Sequence, residues 1–341
     1  MSNSEGPVEA LSKYHLKLED GNLVPNSRYY LRENRLTEYE TTGKYINFSF
    51  YSYFWNDSII FQNRIPYNYF TASKIQPTGI HKFYSTIGNY GLFLYSIYSE
   101  LNNSTRKINE FYYRFGDEIS PDYFLKEFLH VCEFLVLEMD ENNDQLNNEF
   151  SLKQGTGLLL GTKSSKFNLI KAPWKSSLAY GVALSCFSRA YHITQDEKYL
   201  HKSKSLLKGY TEDFHSTIFG KPFFEEYPIK PGHYVLNGFI FALLGLYDFH
   251  QISGDEHANN LFGQGIETLE MILPIYDLGD GSCYDLQHLH SQTPPYKARW
   301  QYHCTHIEQL KTLYIITRKP IFETYYLRFK AYLSGQFTAP L

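Results

Sequence analysis

Along most of this chain apolar residues return every three to four positions, the period of a helix with one buried face. Ile87, Tyr90, Leu94 and Ile97 carry that spacing between Thr86 and Glu100. Ser120-Pro121-Asp122 predicts a helix start, with serine as cap and proline in the first helical position. The helix it opens runs to about Met139. Phe124, Leu125, Phe128, Val131, Phe134 and Leu135 make it apolar on several sides, as expected of an inner helix in a layered bundle. Trp174–Tyr191 predicts another helix, whose small residues Ala179, Gly181, Ala183 and Ser185 permit close packing. Thr194-Gln195-Asp196-Glu197 reads as a capping box ahead of Lys198–Tyr210. Tyr234–His250, Glu256–Leu273, Thr305–Thr317 and Lys319–Ser334 complete the series. Antiparallel helix pairs with polar chemistry in their connections predict a mainly α fold, an incomplete α/α barrel or toroid.

The N-terminal part has a different texture. Residues 1–24 are polar and predict a loosely anchored tail. Tyr45–Phe54 alternates aromatic or apolar with small polar residues, Asn56-Asp57 suits a turn, and Ser58–Gln62 suits a second strand. A small β-hairpin or sheet segment is expected there. Pro77-Thr78-Gly79 ends it. Two regions follow: residues 1–78 with the hairpin, and residues 79–341 as the helical domain.

Composition narrows the class. The 341 residues are 43% hydrophobic and 20% charged, enough to bury a large core. A formal net charge of −4 argues against a nucleic-acid partner, which would need a broad basic surface. No apolar run is long enough to span a bilayer, and no basic stretch followed by an apolar one marks a secretory leader, so a cytoplasmic protein without a membrane partner is expected. Cys132, Cys186, Cys283 and Cys304 have no CxxC spacing and read as reduced thiols. With 31 tyrosines, no single tyrosine is a candidate for being present.

Candidate chemistry gathers between Phe223 and His306, where carboxylates, tyrosines, an arginine and histidines fall in loops and at helix starts. His303 and His306 share a helical face, but His288 and His290 supply no second pair with ligand spacing, so no metal is expected. Asp277, Asp280 and Asp285 do not fit an EF-hand. No GxSxG is present, and neither a serine nor a cysteine nucleophile is favoured.

Three motifs stand out. The first is Glu225-Glu226-Tyr227-Pro228, followed by Val235-Leu236-Asn237-Gly238. The second is Tyr276-Asp277-Leu278-Gly279-Asp280-Gly281, with Tyr284-Asp285-Leu286. The third is Ala298-Arg299-Trp300, with Tyr302-His303 and Thr305-His306. Letters and intervals together resemble the C-terminal domain of the heparosan/heparan-sulfate D-glucuronyl C5-epimerases, in the compact form of a bacterial relative. The resemblance implies an isomerase without an organic cofactor. Its substrate would be an acidic, heparosan-like polysaccharide, in which glucuronate becomes iduronate by loss and return of the C5 proton. It also implies a homodimer. By the same resemblance Tyr227, Tyr284 and Tyr302 align with active-site tyrosines and Glu226 with the adjacent carboxylate. Tyr302 and Tyr284 would lie near C5, with Glu226 or Tyr227 on the opposite face. Arg299 would bind a carboxylate, Asn237 a sugar hydroxyl, and His303 and Thr305 would line the pocket. Arg64 is the best equivalent of the arginines that family members bring from a hairpin. Thr86 and Asn89 fall where the family touches sugar with glutamines. Gln287 stands where the family often has arginine. Two other functions begin from the same features: a uronate-polysaccharide lyase, and a non-catalytic protein that binds acidic glycans.

Overall fold

The computed structural model describes residues 16–19, 22–25, 59–70, 78–103, 120–155, 167–291 and 293–338. Its helices are α1 (Tyr84–Asn103), α2 (Pro121–Glu141), α3 (Ser177–Thr194), α4 (Lys198–Glu212), α5 (Leu236–Ser253), α6 (Glu256–Ile272), α7 (His288–Ser291), α8 (Trp300–Thr317) and α9 (Pro320–Leu333). Helices α1, α3, α5 and α8 pack side by side as an inner ring, and α2, α4, α6 and α9 back them from outside. Among the described residues α8 and α1 form no packed seam, so the α/α barrel is incomplete.

Burial explains the two layers. Helix α5 is buried nearly all round, from Leu236 to Phe249. Helix α4 buries only a stripe that includes Tyr199, Leu206, Leu207 and Tyr210. Local signals set the ends. Ser120 Oγ accepts from the Tyr123 amide at 3.1 Å and opens α2. Asp255 does the same for Ala258 at 2.9 Å and opens α6, just after Gly254 ends α5 with φ +68°. The closest approach joins α3 to α5. A Cβ added to Gly181 would stand 2.4 Å from the Phe241 carbonyl oxygen, and one on Gly245 would stand 2.2 Å from that of Gly181. Only glycine lets these backbones touch.

The strands form four small antiparallel sheets: β1 (Leu16–Glu19) with β2 (Asn22–Pro25); β3 (Ile59–Gln62), β4 (Ile65–Phe70) and β5 (Gly79–His81); β6 (Leu152–Gly155) with β7 (Phe167–Ile170); and β8 (His215–Ile218) with β9 (Lys221–Phe224). The β8–β9 register pairs Ile218 with Lys221, leaving Phe219-Gly220 as a two-residue turn with φ +48° and +78°. That hairpin delivers the chain to Glu225.

Several expectations are corrected. Helix α2 belongs to the outer layer. It is apolar on a second side because the β3–β4–β5 sheet covers it, with Tyr67 edge-on to Phe134 at 6.5 Å and Lys82 on Glu138 at 2.6 Å. Helix α3 starts after Trp174, whose backbone instead bridges to Asn148. Thr194 ends α3 rather than capping α4, and Asp196 Oδ1 accepts from the Lys198 amide at 3.0 Å in its place. The expected tail contains the β1–β2 hairpin, which lies against α8 and α9. Strand β3 falls on the expected Ser58–Gln62 segment, and β5 extends the sheet past residue 78. The alternating stretch Tyr45–Phe54 lies outside the described residues.

Candidate active site

A second apolar cluster sits apart from the main core. Phe150, Trp174, Tyr227, Val235, Tyr284 and Ala298 form it, with Phe70, Phe83, Tyr296 and Tyr302 against it. Three connections build it. The loop after β9 is held to the start of α3, where the Ser177 amide donates to the Glu225 carbonyl at 3.2 Å. The segment around Tyr284 is clamped on both sides. Its amide donates to Tyr296 O at 2.7 Å, and its carbonyl accepts from Leu236 N at 3.1 Å. Tyr302 projects from the first turn of α8, its ring edge-on to Tyr284 at 4.8 Å.

The adjacent acids divide their work. Both are buried, so the commoner fate of paired acids, a solvated loop, does not apply. Glu225 is a brace. Its Oε1 accepts from Ser216 Oγ at 2.7 Å and its Oε2 from the Tyr234 amide at 3.1 Å. Glu226 packs against Gly238 in the first turn of α5 and leaves Oε2 buried with no partner. Its carboxyl neighbours Tyr227, and Tyr227 packs in one buried cluster with Tyr284. The result is a carboxyl beside two phenols.

Burial sets the acidities here. It pushes the Glu226 carboxyl up to about 7, against the opposing influence of the adjacent Tyr227 and with help from the Asp285 charge. Burial likewise raises Glu225 to about 8 and Asp285 to about 7. The Tyr227 and Tyr284 phenols are pushed well above their ordinary value, by burial first and then by the Glu226 charge. The phenols therefore hold their protons at neutral pH, while Glu226 stands poised to gain or lose one.

The other sequence candidates are spread unevenly. Arg299 caps α8 from one turn before Tyr302. It is exposed, and its guanidinium makes no ion pair or hydrogen bond among the described residues. Asn237, in the first turn of α5, leaves Oδ1 buried without a partner. Thr305 is buried one turn past Tyr302 on α8. Thr86 and Asn89 lie on the first two turns of α1, after Phe83, whose ring meets Trp174 at 6.1 Å. His303 is a brace rather than a pocket-lining group. The Ser282 amide donates to its Nδ1 at 3.1 Å, and its Nε2 donates to Phe329 O at 2.9 Å. Burial lowers it to about 4, so it is neutral. Arg64 is not brought to the tyrosines. It sits in the β3–β4 turn and pairs with Glu127 of α2, at the end of β4 opposite Phe70. The six residues of β4 span roughly 20 Å. Gln287, at the position where arginine was the alternative, is buried with its Nε2 2.6 Å from His233 Nε2.

The structure adds residues that spacing did not single out as part of the site. Asp285 adjoins Tyr284 and is buried, which raises its pKa to about 7. Ser282 Oγ joins His303 Nδ1 at 2.8 Å to His306 Nδ1 at 2.7 Å, which fixes the 280s loop to α8. The Tyr284-Asp285 adjacency was the one signal that could have found Asp285. No group of three or more His, Cys, Asp or Glu side chains is arranged to hold a metal among the described residues. No described helix is long and apolar enough to cross a membrane.

An open helical toroid with a group of buried carboxyls and phenols defines an α/α-barrel protein. The family profile of the D-glucuronyl C5-epimerase C-terminus matches residues 159–331, just over half the sequence, and the chain belongs to that family. A D-glucuronyl C5-epimerase of Caenorhabditis elegans is 38% identical over 155 residues, which is 40% of this chain and 25% of that protein. The chain thus spans about a quarter of that relative's length. An uncharacterized protein of Methanocaldococcus jannaschii, MJ1128, is 27% identical over 247 residues, 67% of this chain and 75% of its own. Among solved structures, cellobiose 2-epimerase from Spirochaeta thermophila superposes with a TM-score of 0.46 at 12% identity, covering 84% of this chain and 67% of that one. So distant a likeness carries no argument, and the fold rests on the packing described above.

Proposed function

We propose that this protein inverts C5 of glucuronate residues within an acidic, heparosan-like polysaccharide, giving iduronate. The observation that carries the reading is the buried grouping of Glu226 with Tyr227 and Tyr284, and of Tyr302 edge-on to Tyr284. The C5 proton is weakly acidic because it lies next to a carboxylate. The Glu226 carboxylate takes that proton from one face of the sugar, and charge moves onto the substrate carboxylate. Arg299 stabilises that charge. A phenol of the Tyr284–Tyr302 pair returns a proton from the other face. Tyr227 then passes the Glu226 proton back toward Tyr284 and resets the site. No organic cofactor enters the scheme, and a homodimer of the chain is part of the reading.

A lyase would share the first step and expel the substituent at C4. One experiment separates the two. N-acetylated and N-sulfated heparosan are incubated with the protein in D2O and followed by NMR. Deuterium at C5 with new iduronate signals supports the epimerase. An unsaturated uronate would replace that reading with the lyase. No exchange in either polymer would leave a glycan-binding protein. A Tyr302→Phe variant should fold normally and lose most of the exchange; full activity in that variant would remove Tyr302 from the scheme.

A further inference from the structure

The ribbon that carries Tyr284 meets α8 at two points. Residues 282–284 run antiparallel to 296–298. The Ala298 amide donates to the Ser282 carbonyl at 2.8 Å, Cys283 bridges to Lys297, and the Tyr284 amide donates to Tyr296 O at 2.7 Å. In an extended segment, residues two apart share a face, so Ser282 and Tyr284 point the same way. On α8, Tyr302 and His306 are four apart and share a face in turn. Tyr284 meets Tyr302 with rings edge-on at 4.8 Å, and Ser282 Oγ meets His306 Nδ1 at 2.7 Å. The second contact is a rung one helical turn along α8 from the first.

The hydrogens of that second rung are fixed from its far end. The Phe329 carbonyl oxygen only accepts, so His303 Nε2, 2.9 Å away, carries the hydrogen. His303 is neutral, burial having lowered it to about 4, so its Nδ1 is bare. The Ser282 amide, which donates to that nitrogen at 3.1 Å, requires the same. Ser282 Oγ, 2.8 Å from the bare nitrogen, donates to it and is left to accept from His306. His306 Nδ1 therefore carries a hydrogen. Its Nε2 is then bare, so the atom that lies buried without a partner among the described residues strands no donor. All the side-chain hydrogens of the row point one way, from His306 through Ser282 and His303 to the backbone of α9. A carbonyl takes up no proton, so the row does not conduct protons. It orients.

We propose that His306 is a positioning residue, whose Nδ1–H holds Tyr284 level with Tyr302 through Ser282 and so sets the spacing of the two phenols. The inference rests on the function proposed above and adds what keeps its proton-returning pair in register.

Two replacements of His306 in the full chain separate this role from the filling of space. Asparagine puts its amide nitrogen where Nδ1 stands. Glutamine is nearer to histidine in size but reaches only the Nε2 position, so packing alone would favour glutamine. His306→Asn should keep kcat for C5 exchange within about threefold of wild type. His306→Gln should lower it about tenfold with KM within about twofold, because the misplaced groups act on the reacting atoms. Ser282→Ala cuts the same link from its other end. It should match His306→Gln, and the double variant should be no slower than either single one. A faster glutamine than asparagine variant, or losses that multiply in the double variant, would overturn the proposal. If the wild type exchanges C5 in neither N-acetylated nor N-sulfated heparosan, the proposed function fails, and the positioning is then judged by NMR of tyrosine-labelled protein. A ring-to-ring cross-peak between Tyr284 and Tyr302 that persists in His306→Asn and weakens in His306→Gln would uphold it. Equal cross-peaks in the three proteins, or none in wild type, would overturn it.

Discussion

Helix α5 has two flanks of opposite character. On the α3 side, backbone meets backbone through Gly181 and Gly245, and the seam has no room for a methyl group. On the α8 side the seam is polar. Gln309 Nε2 donates to the Asn237 carbonyl at 3.1 Å, while Gln309 Oε1, Asn237 Oδ1 and His306 Nε2 stay buried without partners. Buried polar atoms in a native fold are normally satisfied. The seam that leaves these three without a partner among the described residues joins the helices that carry Tyr302 and back Glu226. One flank fixes the barrel, and the other equips it.

Substitutions on each flank can break that contrast. Glu226→Gln removes the proton acceptor beside the equipped flank. It should lower C5 exchange by about a thousandfold, the middle of the range for a general base, with the melting temperature unchanged or raised. Gly181→Ala should do the reverse, destabilising the fold by about 3 kcal/mol through overpacking against backbone while leaving residual activity per folded molecule intact. If both variants lost stability and activity together, the flanks would not be separable. Gln309→Leu is a finer probe. It loses one hydrogen bond and also removes an unsatisfied oxygen, so stability should stay within about 1 kcal/mol of wild type by chemical denaturation. Its kcat should still fall about tenfold if the polar seam positions Asn237 for the sugar.

Carboxyl by carboxyl, the smallest expected effect is in the pH dependence. Glu225, Glu226 and Asp285 have raised pKa values in the fold, at about 8, 7 and 7. Between pH 6.5 and 8 they release protons from the folded state that the unfolded chain has already lost. The folded state binds more protons in that window, so stability falls as pH rises. His233 and His303, lowered to about 4, act in the opposite sense, mostly below pH 6.5, and offset only part of the fall at the lower edge of this window. Thermal melts should fall by the equivalent of about 1 kcal/mol per carboxyl across the window, and Glu226→Gln should flatten its share. Catalysis should run the other way, with kcat/KM rising through pH 7 as Glu226 ionises. A rate that falls through pH 7 would make Glu226 an acid rather than a base.

What was legible in the sequence follows the range of the interaction concerned. Helix α2 was readable at its start because Ser120 and Pro121 act within one turn. The three tyrosines were readable because their spacing survives as a motif. The division between Glu225 and Glu226 was not, because it depends on Ser216, Tyr234 and Gly238 closing around them from other elements. The ion pair of Arg64 was not readable for the same reason: its partner Glu127 lies 63 residues away, on α2. The β6–β7 pairing joins segments separated in the chain. Phe219-Gly220, by contrast, was a local turn signal that could have been read.

The bracing of the 270s and 280s loop by α9 has a consequence for how the molecule is made. His303 bonds to Phe329 O, and Asp277 is held by Arg328 and by Tyr332 at 2.7 Å. The residues proposed for proton transfer are translated by Tyr302, yet the groups that hold them in register leave the ribosome after them. A nascent chain carrying every one of those residues therefore lacks this brace until α9 has been made and has docked.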